Sequence, residues 1–363
     1  MKSKAFLLSV IISLLFACVS AFANTAPQPV AQPAAQQPPT AAPVHDKTIL
    51  PPKIPQDKLP KKIKLAGSAY IPFKTWDRGK EIQGGGFLLL PPNLIIGKDK
   101  VPVVIIMHGS RGVTPDHEYV YARELAAMGV AAFVVDSYTP RGIATTHENQ
   151  RLISIRDFTL DAYRALYELR KEPRVDISRA GIVGFSKGAI VALLTAMNVK
   201  RNELRIDKNL KFKAHYLFYP GCVLHYRDNS TTGAPITFFL GEKDTYTGVA
   251  PCVQLSNELK STGSRTQNFI YKDAVHAWDF PGEEAHPEAE VFMNCSFFQQ
   301  QDGTWNEAKS GVKGIKGLEG PMYEKALKGC LTYGEVSREN PKASAQSMAD
   351  FKRLVKEQLL GKP

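Results

Sequence analysis

The residues best suited to chemistry lie in the pentapeptide GFSKG at 184–188. An apolar run at 180–183 precedes it, and a helix-compatible run at 189–199 follows it. A strand, a G-x-S-x-G turn and a helix in this order are the layout of a nucleophile elbow, which exposes a serine hydroxyl on a strained turn. The two glycines suit such a turn because they lack colliding Cβ atoms. We therefore predict that Ser186 is a nucleophile, with an ordinary glycine-rich turn as the alternative.

A serine hydroxyl barely ionises at neutral pH, so it needs an adjacent base to take its proton during attack. His276 is the predicted base, because it stands in a Val-His-Ala-Trp segment after a predicted strand. Asp244, which follows another predicted strand, is expected to bind the second imidazole nitrogen and stabilise the imidazolium. Asp136 is a competing acid, but it precedes the serine along the chain. The other candidate histidines, of which the first is expected to orient its own loop, fit less well: His108, His225 and His286.

Attack on a carbonyl also needs backbone N–H donors aimed at the developing oxyanion, and losing one typically costs about 3–4 kcal/mol. The N–H of Lys187, at the start of the predicted helix, is one expected donor. The N–H of Ser110 is the other, in the glycine-bearing turn at 108–112. Gly109 and Arg111 are close alternatives to Ser110.

Three further side chains are candidate substrate contacts: Tyr138, Arg141 and Trp278. Arg141 could hold an anionic part of a substrate, and it fits equally well as an anchor for the loop at 138–142. Tyr138 and Trp278 could line an apolar pocket, and each could instead belong to the core. No set of metal ligands is convincing, so neither a metal nor a cofactor is expected.

These residues need a scaffold that brings distant strand ends together. Apolar β-branched runs alternate with runs at helical spacing, which predicts an α/β fold with a mostly parallel sheet between helical layers. The predicted strands are 63–73, 85–90, 101–107, 130–135, 180–183, 215–219, 236–240 and 268–271. The predicted helices are 117–128, 151–171, 187–199 and 348–360. Ligands bind beyond the carboxyl ends of such strands, where the candidate serine, aspartate and histidine all fall.

The chain order serine, aspartate, histidine is that of α/β-hydrolases. From about residue 101 to 276 the chain resembles the dienelactone hydrolase family. The motifs that carry the resemblance are HGSRG at 108–112, DSYTPRG at 136–142, the helix around Arg156-Asp157 and Asp161-Ala162, GFSKG at 184–188, Gly241 with Asp244, and His276. The resemblance implies an α/β-hydrolase fold and a metal-free hydrolase that acts through a nucleophile–His–Asp triad.

Two positions depart from the founding enzymes of that family. Those enzymes use a cysteine nucleophile where this chain has Ser186, and a glutamate where it has Gly109. A glutamate that manages the protonation of a thiol has no task beside a serine. We therefore expect a serine esterase that acts on a small-molecule ester, without the lactone specificity. A peptidase or acyltransferase with the same triad, and a non-catalytic envelope-binding protein, are the alternatives.

Three segments of different composition divide the chain. Residues 1–23 are predicted to be a signal peptide, because a lysine-bearing start, an apolar stretch and an Ala-Phe-Ala motif occur there. The segment at 24–60 is rich in Ala, Pro and Gln, which is typical of an extended linker. Residues 61–363 predict a single hydrolase domain with an insertion at about 283–340. The protein is therefore expected to be periplasmic or secreted.

The number of cysteines is consistent with an exported protein. Cleavage after residue 23 removes Cys18 and leaves four, and an even number in an exported chain argues for two disulfides. Of three pairings, Cys222–Cys252 and Cys295–Cys330 are preferred because each brackets one local excursion. Each would stabilise the fold by about 3–4 kcal/mol in the loop-entropy description. Acylation of Cys18 would instead create a lipid anchor. Phe16 is bulky for the motif that directs such acylation, so simple cleavage is the favoured outcome.

The formal net charge of the chain is +11. Its lysines are spread along predicted helices and the linker, without the clustered basic motif or interleaved aromatic residues typical of nucleic-acid binding. We therefore expect no nucleic-acid partner. A solvated basic surface near anionic envelope polymers explains the charge better.

Overall fold

The computed structural model describes residues 64–92, 94 and 100–361. The predicted signal peptide, the linker and Cys18 lie outside these residues. The strands are β1 (Ala69–Asp77), β2 (Lys80–Leu89), β3 (Val101–Met107), β4 (Ala131–Asp136), β5 (Val175–Phe185), β6 (Ala214–Phe218), β7 (Leu224–His225), β8 (Ile236–Gly241), β9 (Thr266–Tyr271), β10 (Glu283–Val291), β11 (Phe297–Gln299), β12 (Trp305–Glu307) and β13 (Thr332–Arg338). The helices are α1 (Glu118–Ala127), α2 (Ile155–Leu169), α3 (Lys187–Ala196), α4 (Asn198–Glu203), α5 (Val249–Ser261), α6 (Pro321–Cys330) and α7 (Pro341–Val355).

The main sheet has eight strands in the order β1-β2-β4-β3-β5-β6-β8-β9. The hairpin β1–β2 and the pairing of β2 with β4 are antiparallel. Every pairing from β4 to β9 is parallel. The predicted α/β fold with a mostly parallel sheet is therefore confirmed, and the carboxyl ends of β3, β5, β8 and β9 meet at one edge.

Helices cover both faces of this sheet, because side chains alternate along each buried strand. Val103 and Ile105 of β3 point into the core layer shared with α2, α3 and α5. Val104 and Ile106 point into the layer shared with α1 and α7. The apolar run at 101–107 thus contributes side chains to the cores on both faces of the sheet, as expected for a central strand.

Element boundaries differ from the prediction where capping and turns decide them. The first strand begins at Ala69, and Gly79 turns the hairpin with a φ of 76°. Helix α2 begins at Ile155, because the Ser154 hydroxyl accepts a hydrogen bond from Asp157 N at 3.0 Å and caps it. Helix α5 was not predicted from the sequence; it buries Cys252, Leu255 and Leu259 in the core.

The segment 283–340 packs beside the sheet edge. β10 pairs with β13, and β11 lies between β12 and β7. The structure joins Cys222 to Cys252, and Cys295 to Cys330. Both disulfides therefore link segments that lie outside the main sheet.

Among the described residues, no helix combines the length and the apolar character needed to cross a bilayer.

Candidate active site

The predicted nucleophile lies on a strained turn. β5 ends at Phe185 and α3 begins at Lys187, so Ser186 alone connects strand to helix. Its φ is 50° and its ψ is −114°, a conformation that non-glycine residues rarely adopt. The Ser186 amide donates to the Phe218 carbonyl on β6 at 2.9 Å, which fixes the turn to the sheet.

The two glycines of this turn are required by close backbone approach. A Cβ at Gly184 would overlap the Gly188 carbonyl. A Cβ at Gly188 would overlap the carbonyl of Met107 at the end of β3. Any larger residue would push the turn away from β3 and move the serine from its place at the sheet edge.

The imidazole of His276 reaches this serine from the loop after β9. Its Nε2 lies 3.0 Å from Ser186 Oγ. Its Nδ1 lies 2.9 Å from Asp244 Oδ2. Three side chains separated widely along the chain therefore form one continuous chain of hydrogen bonds at the sheet edge.

Asp244 is fixed by its own turn after β8. One carboxylate oxygen accepts from the amides of Tyr246 at 2.8 Å and Thr247 at 2.9 Å. The other accepts from the Thr247 hydroxyl at 2.6 Å, besides His276. Burial opposes the charged carboxylate, but His276 and these donors outweigh it and lower the pKa of Asp244.

Two tyrosine rings hold the imidazole in place. The rings of Tyr219 and Tyr246 lie edge-on to His276, with centroids 4.8 and 4.7 Å away. Burial lowers the pKa of His276, but the Asp244 carboxylate outweighs burial and raises it above 6.5. The imidazole can therefore accept a proton readily while remaining in one orientation.

The turn after β3 carries Ser110, one of the two predicted oxyanion donors. Gly109 approaches Ser186 so closely that a Cβ there would lie 3.4 Å from the serine Cβ. The Ser110 hydroxyl bonds Gln150, and its carbonyl accepts from Thr146 N at 2.9 Å. These contacts keep the Ser110 backbone beside the serine.

Lys187 follows the serine and is buried. Its ammonium donates to the Gln150 carbonyl. Burial lowers the pKa of Lys187 to about 7, although nearby Glu290 opposes this shift. The backbone amide of this lysine stands at the start of α3, where the helix dipole favours negative charge.

Two cavities meet at Ser186. The smaller has a volume of about 30 Å³ and is lined by Gly109, Ser110, Ser186, His276 and Glu335, among others. The larger is a groove of about 850 Å³. The apolar side chains among its lining residues include Ile190, Val223, Leu224, Phe292 and Met293.

The three predicted substrate contacts lie elsewhere. Arg141 is buried, and its guanidinium binds Asp161 at 2.7 and 2.9 Å, so it anchors its loop. Tyr138 is buried, with its hydroxyl 2.9 Å from Thr146 Oγ1. Trp278 is fully buried in the core, and its indole N–H donates to Ser347. None of the three lines either cavity beside Ser186. Their positions after strand ends indicated the correct region, but their side chains point into the protein.

The rival acid and base have structural roles. Asp136 accepts hydrogen bonds from the amides of Tyr138 and Thr139 and thereby closes a turn. His108 accepts from Ser137 N through Nε2, while its Nδ1 faces the Gly109 carbonyl. It therefore orients its loop, as the sequence indicated.

Several residues around the serine were not predicted from the sequence. Gln150, Tyr219 and Tyr246 support the serine, the histidine or their loops. Glu335 and Ser337 of β13 line the small cavity. The 283–340 segment was predicted only as an insertion, and no motif in it points to a site.

The family follows from the match of the chain to known sequences. The dienelactone hydrolase family matches residues 86–300, more than half of the 363 residues. The chain belongs to this family. Membership, with a serine at the elbow of the fold, makes this dienelactone hydrolase family member a carboxylic ester hydrolase. No curated protein matches it significantly.

Solved structures with a similar fold include an esterase of the planctomycete Thermogutta terrifontis. Its native form has a TM-score of 0.49 and 17% identity, over 62% of this chain and 89% of that chain. The same esterase phosphorylated by paraoxon has a TM-score of 0.48 and 17% identity, over 62% of this chain and 90% of that chain.

Proposed function

We propose that this protein is an exported serine hydrolase that cleaves carboxylic esters through a Ser186–His276–Asp244 triad and an acyl-enzyme. The observation that carries the proposal is the chain of hydrogen bonds, at 3.0 Å from serine to histidine and 2.9 Å from histidine to aspartate. Such distances let the imidazole take the serine proton as its oxygen attacks the ester carbonyl. The proton then passes to the leaving alcohol.

The backbone N–H groups of Ser110 and Lys187 are the proposed oxyanion donors. The close approach of the 109–110 turn to Ser186 supports this role, as does the start of α3 at Lys187. Because two donors of this kind bind the tetrahedral intermediate more strongly than the ester, they lower the barrier to its formation.

The substrate is proposed to be a small ester with a sizeable apolar part. The groove of about 850 Å³ lies within the range typical of small-molecule sites. Apolar side chains such as Ile190 and Phe292 can bury an acyl chain or ring. A panel of p-nitrophenyl esters should therefore give kcat/KM values that rise from acetate to longer acyl chains.

Export is proposed from the sequence at 1–23 and is supported by the two disulfides, which persist in oxidising compartments. Cleavage should give a periplasmic or secreted protein that starts at Asn24, whose spread basic charge could contact anionic envelope polymers. Intact-mass measurement of the exported protein tests the cleavage point. A mass that shows diacylglycerol on Cys18 would contradict it.

A serine-directed fluorophosphonate tests the nucleophile. We expect one adduct per molecule at Ser186 by peptide mapping, and none in Ser186→Ala. Ser137 is the matched control, because it is also buried near a strand end but lines neither cavity beside Ser186. Ser137→Ala should label normally. Labelling elsewhere, or equal ester hydrolysis by Ser186→Ala, would contradict the proposal.

A further inference from the structure

Glu335 brings a second carboxyl group to the proposed catalytic histidine. It lies on β13, in the segment 283–340 beyond the last strand of the main sheet. A bridge between the backbones of Ser337 and His276 joins this strand to the histidine loop. The β13 strand therefore holds the carboxyl group at a fixed position beside the active site.

One oxygen of this buried carboxyl group lacks a hydrogen-bond partner. Glu335 is 7% exposed, and its Oε2 makes no hydrogen bond to any residue in the described part of the chain. Burial raises the pKa of Glu335, and nearby His276 partly opposes this shift. A buried carboxylate oxygen without a hydrogen-bond partner is costly, so the presence of this group beside the active site points to a ligand that it holds.

The surrounding space has the size of a water molecule. The cavity that Glu335 shares with Ser186 and His276 has a volume of about 30 Å³, and a bound water needs roughly 10–15 Å³. Glu335 Oε1 lies 4.0 Å from His276 Nε2. This separation is too long for a hydrogen bond, but one water about 2.8 Å from each atom can bridge it.

We propose that Glu335 binds and orients the water that hydrolyses the acyl-enzyme. The inference rests on the proposed function, because it assigns a residue to its second step. The water donates one hydrogen bond to the Glu335 carboxylate, and its other proton faces His276 Nε2. Its lone pair is then directed at the acyl carbon on Ser186.

The step balances without another reactant. As the water oxygen bonds to the acyl carbon, His276 Nε2 takes one water proton and the carbonyl electron pair moves to the oxygen. The intermediate then collapses, the bond from carbon to Ser186 Oγ breaks, and the proton on His276 passes to Oγ. A carboxylic acid leaves, while Glu335 accepts the same hydrogen bond throughout and exchanges no proton.

Glu335 should therefore affect deacylation and spare acylation, in which the ester occupies the position beside the histidine. A hydrogen bond to a charged group changes a rate by about tenfold to a hundredfold. A carboxyl group that merely stabilised the imidazolium would slow both steps, since His276 is protonated in both.

Stopped-flow hydrolysis of p-nitrophenyl acetate separates the steps. In Glu335→Ala we expect a p-nitrophenol burst of about one per active site at a wild-type rate, followed by turnover that is about tenfold to a hundredfold slower. Glu335→Gln keeps one uncharged acceptor and should lose less. Glu283→Gln is the control, because that glutamate is exposed on the partner strand β10. Equal slowing of burst and turnover, or unchanged turnover in Glu335→Ala, overturns the inference.

Added methanol gives a readout that does not depend on the fraction of folded enzyme. Methanol has no second proton for Glu335, so the ratio of methyl ester to acid should rise in Glu335→Ala by a factor similar to the loss of turnover. An unchanged ratio overturns the inference, although Ser186 still acylates and the proposed function stands. If the wild type forms no acyl-enzyme, the proposed function and the inference fail together.

Discussion

Among the buried histidines that lie beside carboxylates in the described residues, His276 and His117 differ in which ring nitrogen a reactant can reach. His276 has Asp244 on Nδ1, while its Nε2 faces Ser186 and a cavity. His117, at the start of α1, lies between two acids: Nδ1 is 3.2 Å from Glu118 and Nε2 is 3.1 Å from Asp279. Nε2 of His276 therefore has no acid closer than Glu335, 4.0 Å away, whereas both ring nitrogens of His117 face a carboxylate at 3.1–3.2 Å.

The electrostatic consequence is a difference in protonation. Burial lowers the pKa of His117, but Asp279 and Glu118 outweigh it and raise the pKa to about 9. This histidine is a cation at neutral pH, stacked on the Phe280 ring with centroids 3.9 Å apart. A cation cannot serve as a base, so His117 acts as a structural support. A histidine–aspartate pair is thus a candidate base only when one ring nitrogen has no acid within hydrogen-bonding distance.

The largest expected effect comes from replacing the acid partner of His276, and it is on catalysis. Asp244→Asn should lower kcat by about 10⁴-fold, because the amide favours the wrong histidine tautomer and cannot stabilise the imidazolium. Steady-state kinetics with a p-nitrophenyl ester measure this. The matched variant Asp279→Asn changes the other pair and should retain near-wild-type kcat while it is folded. Equal losses in both variants would contradict the assignment of the two pairs.

The next largest effect is on stability. His117→Gln leaves Glu118 and Asp279 buried without their cation, which should lower the free energy of unfolding by about 3–5 kcal/mol. Urea unfolding followed by fluorescence measures it. His225→Gln is the control: that imidazole is also buried, but its partner Glu258, 2.8 Å away, is 28% exposed and stays solvated when the imidazole is removed, so the loss should be smaller. Similar losses in both variants would show that His117 stabilises the fold no more than His225 does.

Tyr219 connects the two histidines and should show a smaller effect. Its hydroxyl donates to Asp279 at 2.8 Å, while its ring contacts His276. Tyr219→Phe removes only the hydrogen bond to the buried charge, at a cost of about 1.5–3 kcal/mol in unfolding free energy. Activity should stay near that of the wild type because the ring remains. A drop in kcat without a drop in stability would mean that the hydroxyl itself serves catalysis.

The elbow and the triad could be predicted from the sequence because their determinants are local. The glycines at 184 and 188 are required by contacts within one turn and with one neighbouring strand, and such contacts leave a fixed motif. Asp244 and His276 could be found because parallel strands bring their carboxyl ends to one edge. The fold class followed from the same alternation of strands and helices.

The wall of the site could not be predicted in this way. Position after a strand does not determine which way a side chain points, so Tyr138, Arg141 and Trp278 are buried instead of facing substrate. Glu335 reaches the site through β13, whose pairing with β10 and bridge to the His276 loop depend on tertiary packing. No local sequence pattern predicts that β13 brings Glu335 next to His276.

A rise in pH should increase the catalytic contribution of His276 and decrease the stabilising contribution of His117. Catalysis needs neutral His276, whose pKa is raised above 6.5, so kcat/KM should fall about tenfold per pH unit below a midpoint above 6.5. His117 has its pKa raised to about 9 in the folded state, so its stabilisation is fully present below pH 6.5 and is lost as pH rises through about 9. Activity therefore increases over the range in which this support weakens.

Pairs of pH profiles separate these effects. Lys187, with its pKa lowered to about 7, changes stability in the opposite direction at alkaline pH, so the wild-type curve alone cannot isolate His117. The difference in unfolding free energy between wild type and His117→Gln removes the lysine contribution. That difference should shrink between pH 6.5 and 9, by at most about 1.4 kcal/mol per pH unit. A constant difference would mean that His117 is not the protonated partner of Asp279, and the contrast with His276 would then rest on geometry alone.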